Sequence, residues 1–249
     1  MPKVMFRFYE ELNDFLPEHR KKTDFYATLK GKRSIKDMIE ALGVPHTEID
    51  LILVNGISVG FNTILHDNDR ISVYPVFESL NITDTTRLRK LPLRRNKFIA
   101  DINLGNIVKY MRVLGLDVYY DALLSNREII ELSNKEKRII LTKNKQLLKF
   151  KDVSHGIFIR PGTTTEQIKR IIDYLDINND IVPFSRCLRC NTLLKNVSKE
   201  QILDRIPPKT KKFCSEFVQC QSCDKIYWKG THFIKMEKFV RQILDRPES

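Results

Sequence analysis

The sequence predicts an α/β domain with a mainly parallel sheet, preceded by a small α+β unit of β-grasp type and followed by a zinc ribbon. Three observations carry that prediction. Residues 3–78 read as strand, strand, helix, strand, strand; residues 97–182 alternate strand and helix; and two Cys-x-x-Cys pairs fall in the last quarter of the 249-residue chain.

The first unit, residues 1–80, opens with the strands "KVMFRFY" and "DFYATLKG". Ser34 then starts a helix whose Ile35, Met38, Ile39 and Leu42 share one face, with Gly43 near its stop. "IDLILVNGISV" places Asn-Gly between apolar runs, the spacing of a tight hairpin, and "RISVYPVF" supplies the last strand. This order suggests a ubiquitin-like β-grasp unit. It lacks the terminal Gly-Gly that a sulfur carrier or conjugated modifier needs, so an interaction or positioning role with a protein partner is expected. Residues 81–96 are polar and basic and read as a linker.

The α/β domain is expected over residues 97–182. "KFIAD" is a strand, and Leu104, Ile107, Val108, Met111 and Leu114 recur at helical spacing. "DVYY", "REIIELSNKEK" and "RIILT" give strand, helix and strand. A short helix "KQLLKF", a strand "GIFIR" and a helix opened by the capping-box pair Thr163 and Glu166 complete it. Functional groups of such a sheet gather beyond the carboxyl ends of its strands.

Charge is uneven: residues 1–80 hold 10 Lys+Arg against 12 Asp+Glu, whereas the remaining 169 hold 33 against 19. A basic surface over the last two thirds suits a polyanion, RNA or DNA first among them, and equally suits a solvated lysine-rich face. No apolar run is long enough for a membrane span, and the start lacks a secretory layout, so a cytoplasmic protein without membrane contact is expected.

Residues 183–249 carry "CLRC" at 187–190 and "CQSC" at 220–223, with 29 residues between them. Cys187, Cys190, Cys220 and Cys223 are the expected ligands of one structural zinc, since four thiolates leave no open position for chemistry. Cys214 is left over, a core or free thiol, and His232 reads as packing or RNA contact. The amphipathic stretch "HFIKMEKFVRQIL" closes the chain.

Asp101 ends a strand and precedes a helix, which suits either a metal ligand or a helix N-cap. Asp117 begins the next strand and Asp121 follows its end. The stretches "KFIADINLGNIVKYMRVLGLDVYYD", "RIILTKNKQLL", "CLRCNTLL" and "FVQCQSCDKIYWKGTHFIKM" resemble the Mut-seven C-terminal RNase family over about residues 96–240. The first unit is similar to the ubiquitin-like domain often fused ahead of it. The resemblance implies a PIN-like three-layer nuclease domain with a zinc ribbon, cleaving RNA with Mg²⁺ or Mn²⁺ held by a ring of acids.

By that resemblance Asp101 and Asp117 match family acids, while two further acidic positions are Asn126 and Asn144 here. An amide oxygen can coordinate a cation but brings no charge. Asp121 or Asp152 could compensate. Two classes therefore stay open. One is a metal-dependent endoribonuclease in which Lys109, Arg112, Lys143 and Lys145 contact phosphates. The other is an RNA-binding or regulatory protein that has lost its chemistry, with Trp228 and Lys229, beside Tyr227, as an RNA-binding surface. Each of these side chains has a plainer reading, as solvated surface for the cations and as ribbon core for the aromatics.

Overall fold

The structure is a computed structural model and describes residues 2–75 and 96–244. All but Asn96 of the expected linker 81–96 lies outside the described residues. Two compact units result: residues 1–95 together with 142–158, and residues 96–141 together with 159–249.

In the first unit β1 (Lys3–Phe8), β2 (Phe25–Thr28), α1 (Ile35–Ala41), β3 (Ile49–Val54), β4 (Ile57–Ser58) and β5 (Arg70–Pro75) follow in chain order. They build a five-stranded mixed sheet of order β2-β1-β5-β3-β4, with β1 and β5 parallel at its centre. Ser34 caps α1, its side chain accepting from the Asp37 N–H, and Asn55 and Gly56 both take positive φ in the β3–β4 turn, as an Asn-Gly hairpin requires. Alternate residues of β1 and β5 are buried, so Val4, Phe6, Phe8, Ile71 and Val73 form a core with Ile35, Met38 and Ile39 of α1.

The same unit includes residues 142–158, which the sequence assigns to the α/β domain. Phe158 packs against the β-grasp core, its ring 5.3 Å from that of Phe15. Its backbone N–H donates to the buried Glu48 carboxylate at 2.7 Å. His46 lies between the Glu40 carboxylate (2.6 Å) and the Val153 carbonyl (2.9 Å), and Lys149 Nζ donates to the Glu40 carbonyl at 2.9 Å. Contacts about a hundred residues apart in sequence draw this stretch onto the β-grasp core.

The α/β part comprises β6 (Lys97–Ala100), α2 (Gly105–Val113), β7 (Asp117–Tyr119), α3 (Asn126–Glu136), β8 (Ile139–Thr142), β9 (Gly156–Phe158) and α4 (Thr164–Leu175). In its sheet β6 is central and pairs in parallel with β7 and with β8. Phe98 to Ala100 of β6 and all of β8 are buried, the continuous apolar run of a strand covered on both faces. Leu104, Ile107, Val108, Met111 and Leu114 are all buried, as their helical spacing requires. Both bonds of the Thr163–Glu166 capping box form on α4, and a second box, Ser125 with Glu128, opens α3. The expected "KQLLKF" helix is only a short turn at Leu147–Lys149.

The C-terminal part comprises β10 (Leu194–Asn196), α5 (Pro208–Phe213), β11 (Phe217–Cys220), β12 (Ile226–Trp228) and α6 (Thr231–Leu244). β11 is the centre of a three-stranded antiparallel sheet. Its own small core is Ile202, Ile206, Phe217 and Ile226. Among the described residues no helix is long and apolar enough to cross a membrane.

Candidate functional site

The two Cys-x-x-Cys turns have the same backbone construction. The N–H of Asn191 returns to the Cys187 carbonyl at 2.9 Å and that of Asp224 to the Cys220 carbonyl at 3.0 Å; the N–H groups of Cys187 and Cys220 pair with the carbonyls of Thr192 and Lys225. Asn191 (φ 68°) and Asp224 (φ 54°) both sit in the left-handed region, which Asn and Asp tolerate better than other residues with a side chain. Each turn thereby points two sulfurs at one place. Cys187 Sγ is 3.6 Å from Cys223 Sγ, Cys190 Sγ is 3.3 Å from Cys220 Sγ, and all four sulfurs lie within 4.8 Å of one another. A tetrahedral zinc with Zn–S near 2.3 Å needs sulfurs about 3.8 Å apart, so the set fits the ion.

The thiols also compete for charge. Cys190 is brought down to about 6: burial opposes its ionisation, but contacts with Thr192 and the neighbouring sulfurs outweigh it. Burial pushes the Cys223 thiol up to about 12, and the adjoining cysteines add to the rise. Four thiolates this close require a cation between them. The Tyr227 hydroxyl lies 3.2 Å from Cys187 Sγ and accepts from the Leu188 N–H at 3.1 Å. Tyr227 is thus part of the knuckle. Cys214 packs against the ribbon core outside the thiol cluster, and His232 is exposed.

The knuckle is bolted to the α/β sheet by groups that the sequence points to for other tasks. Arg112 is 4% exposed, and its guanidinium donates to the Leu188 carbonyl (3.0 Å), to the Arg189 carbonyl (2.9 Å) and twice to the Val118 carbonyl (3.0 and 2.8 Å). The expectation that Arg112 contacts phosphate is corrected: its fork is spent inside the protein. Burial holds its pKa below the usual guanidinium range, against the pull of the neighbouring cysteines and Asp117.

Asn191 accepts from the Val118 N–H at 3.1 Å and donates to Asp117 Oδ1 at 2.8 Å. Asp117 also takes Arg138 at 2.6 Å and has Arg186 at 3.6 Å. Its register partner is Lys97, the first residue of β6, whereas Asp101 follows the last. Roughly 13 Å of strand separates the two ends at 3.3 Å per residue. The sheet therefore does not bring Asp117 to Asp101, and Asp117 serves as the anchor of two guanidinium groups and the knuckle amide.

At the carboxyl end of β6, Asp101 is buried, and its N–H donates to the Leu141 carbonyl of β8 at 3.1 Å. Its Oδ1 accepts from the Asn103 N–H at 2.9 Å, so the capping role is realised. Tyr120, just past β7, donates its hydroxyl to the Ile102 carbonyl at 3.0 Å and ties the two strand exits together. Asp121 lies two residues past the end of β7. Asp121 is exposed and accepts from the Leu123 N–H at 2.9 Å. Asn126 is the exposed first residue of α3, and the nearby acid Glu128 is held by the Ser125 capping box.

Asn144 belongs to the first unit, where its side-chain oxygen accepts from the Gln146 N–H at 3.0 Å and shapes the turn after β8. Asp152 is exposed in that unit too. Among the described residues the four cysteines are the only group of three or more His, Cys, Asp or Glu side chains placed to hold one ion.

Of the remaining cations, Lys109 is exposed on α2, 5.7 Å from the Tyr110 ring centroid, and Lys143 is exposed. Lys145 is half-buried, its Nζ over the rings of Phe15 (4.7 Å) and Phe158 (5.2 Å), a cation–π contact within the first unit. Lys229 is paired with Glu216, and Trp228 packs partly on the ribbon core.

A family profile described as the Mut7-C RNAse domain matches residues 96–240, and one described as Mut7-C ubiquitin matches residues 1–81. No curated protein and no solved structure matches the chain.

Proposed function

Because the chain belongs to the Mut7-C RNAse domain family, we propose that it is a divalent-metal-dependent endoribonuclease whose reacting edge is the carboxyl end of β6. The observation that carries this is Asp101, a buried carboxylate fixed by the sheet at the strand end where such folds place their chemistry. Asp121 is the second acid of that edge. Mg²⁺ is commonly held by one or two carboxylates together with substrate phosphate and water, so two acids suit it. When bound, such an ion would polarise the scissile phosphate and lower the pKa of a water. Asp101 would fix the ion's position, and exposed Lys109 on α2 would draw the RNA backbone toward the domain.

A second reading, an RNA-binding protein that no longer cuts, is favoured by Asn126 and Asn144, neutral at two positions where the family pattern is acidic. Labelled single-stranded RNA and tRNA incubated with Mn²⁺ or Mg²⁺ separate the two. Cutting by the wild type supports the first reading. Cutting only after Asn126→Asp with Asn144→Asp supports the second.

The β-grasp unit we assign to work in cis. Its Glu48, His46 and Phe15 seat residues 142–158, the stretch that bears Lys143, Asn144 and Lys145. A fixed internal partner explains a ubiquitin-like unit whose last strand runs on without a Gly-Gly terminus. The cysteine cluster takes zinc as a structural ion.

A further inference from the structure

One face of the ribbon sheet, the start of α6 and the chain at Phe184 enclose an open cavity of about 590 Å³, within the range of ligand sites. Phe184, Leu194, Trp228, Phe233 and Met236 line it, all half-buried, so a sizeable apolar surface surrounds a space that no side chain fills. Phe184 holds φ at 60°, an uncommon conformation for a bulky residue. Its N–H is anchored on the Val113 carbonyl at 2.8 Å, and its ring lies 4.4 Å from that of Phe233. Backbone held this way is characteristic of binding sites, where packing over-determines the geometry.

The rim is polar. Lys229 and Glu216 form an ion pair there with side chains 63% and 72% exposed, a pairing weak enough to exchange. Residues 183–249 hold 14 Lys+Arg against 7 Asp+Glu, so the module around the cavity is basic. Aromatic walls within a basic module match the chemistry of an unpaired nucleotide, whose base stacks and whose phosphate seeks a cation.

We propose that this cavity is a subsite for one unstacked base of single-stranded RNA, held against Trp228 and the Phe184–Phe233 pair, with Lys229 leaving Glu216 for the adjoining phosphate. The inference rests on the RNA-directed reading above and adds a place of recognition apart from the Asp101 edge. A paired base cannot enter, because it remains stacked within its duplex. The subsite therefore selects single strands, loops and ends.

Trp228 is the single tryptophan of the chain, so its fluorescence reports on the cavity directly. Zinc-loaded full-length protein is titrated with a short single-stranded RNA, and with the same sequence as a duplex, without added Mg²⁺ or Mn²⁺; anisotropy of labelled RNA measures binding in parallel. Saturable quenching by the single strand and none by the duplex is expected. Phe233→Ala and the milder Phe184→Leu should each weaken the single strand about tenfold, the loss of one stacking partner. Lys229→Gln should lower the salt slope by about one. RNA that binds by anisotropy while Trp228 stays unquenched would overturn the subsite and leave the RNA reading intact. RNA that binds neither in this titration nor after Mn²⁺ is added would overturn both.

Discussion

Arg112→Lys keeps the positive charge and removes the fork, so it separates a structural guanidinium from a phosphate contact. The native side chain makes four hydrogen bonds to the carbonyls of Val118, Leu188 and Arg189 from a position 4% exposed. An ammonium is a point donor and cannot span three carbonyls held by two different elements. At about 1.5–3 kcal/mol for each hydrogen bond involving a charged group, loss of two costs about 3–6 kcal/mol. That is a large share of a typical domain's stability and lowers the melting temperature by roughly 10 °C. Thermal unfolding of zinc-loaded wild type and variant, with zinc release followed by a colorimetric chelator, should show earlier melting and faster release together. Melting within about 2 °C of wild type, combined with weakened RNA binding, would refute the structural assignment.

Burial works against ionisation of Asp117, but hydrogen bonds from Arg138 and Asn191 and the charge of Arg186 prevail and hold its pKa below the usual carboxylate value. Its contribution is therefore complete above about pH 4 and is lost as pH falls through the lower folded value. Asp117→Asn should be destabilised by about 2 kcal/mol at pH 7, and urea unfolding at pH 7, 5 and 3 should show that difference closing at the lowest pH; a difference independent of pH would contradict this. Purified protein should carry one zinc per chain by elemental analysis, lost in Cys190→Ser and kept in Cys214→Ser, since only the former removes a sulfur of the cluster. His46→Ala with Glu48→Ala, made in the full chain, should raise hydrogen exchange across residues 142–158 at least tenfold, one hydrogen bond's worth of local opening. Unchanged exchange there would remove the case for a cis role of the β-grasp unit.

Elements governed by near neighbours were legible in the sequence. The Asn-Gly turn, the Ser34 cap, the Thr163–Glu166 box and the apolar stripe of α2 depend on residues a few positions apart, and each took the expected form. The cysteine spacing was equally plain, because each knuckle is a local turn. Arg112 was misread because its carbonyl partners at Leu188 and Arg189 lie 76 and 77 residues away, and no periodicity encodes such a contact. The one hint was its place beside Met111, at the border of the buried stripe.

Asp117 carried its own warning. It begins a strand, and in a parallel sheet the start of one strand lies beside the start of its neighbour, at the far end from that neighbour's exit, so it could not stand with Asp101. The attachment of residues 142–158 to the β-grasp core was out of reach, since Lys145 and Phe158 gave no local sign of the rings and carboxylate that receive them.

The most direct test of the nuclease reading compares wild type with Asp101→Asn on labelled single-stranded RNA in Mn²⁺, with RNA binding measured on the same preparations. The asparagine retains an oxygen able to cap the Asn103 N–H, so the fold should persist and only the charge offered to the ion should change. Metal-dependent cutting by the wild type, slowed at least about a hundredfold in the variant with binding retained, is the predicted result. Equal cutting by both proteins would show that the chemistry lies elsewhere than the carboxyl end of β6.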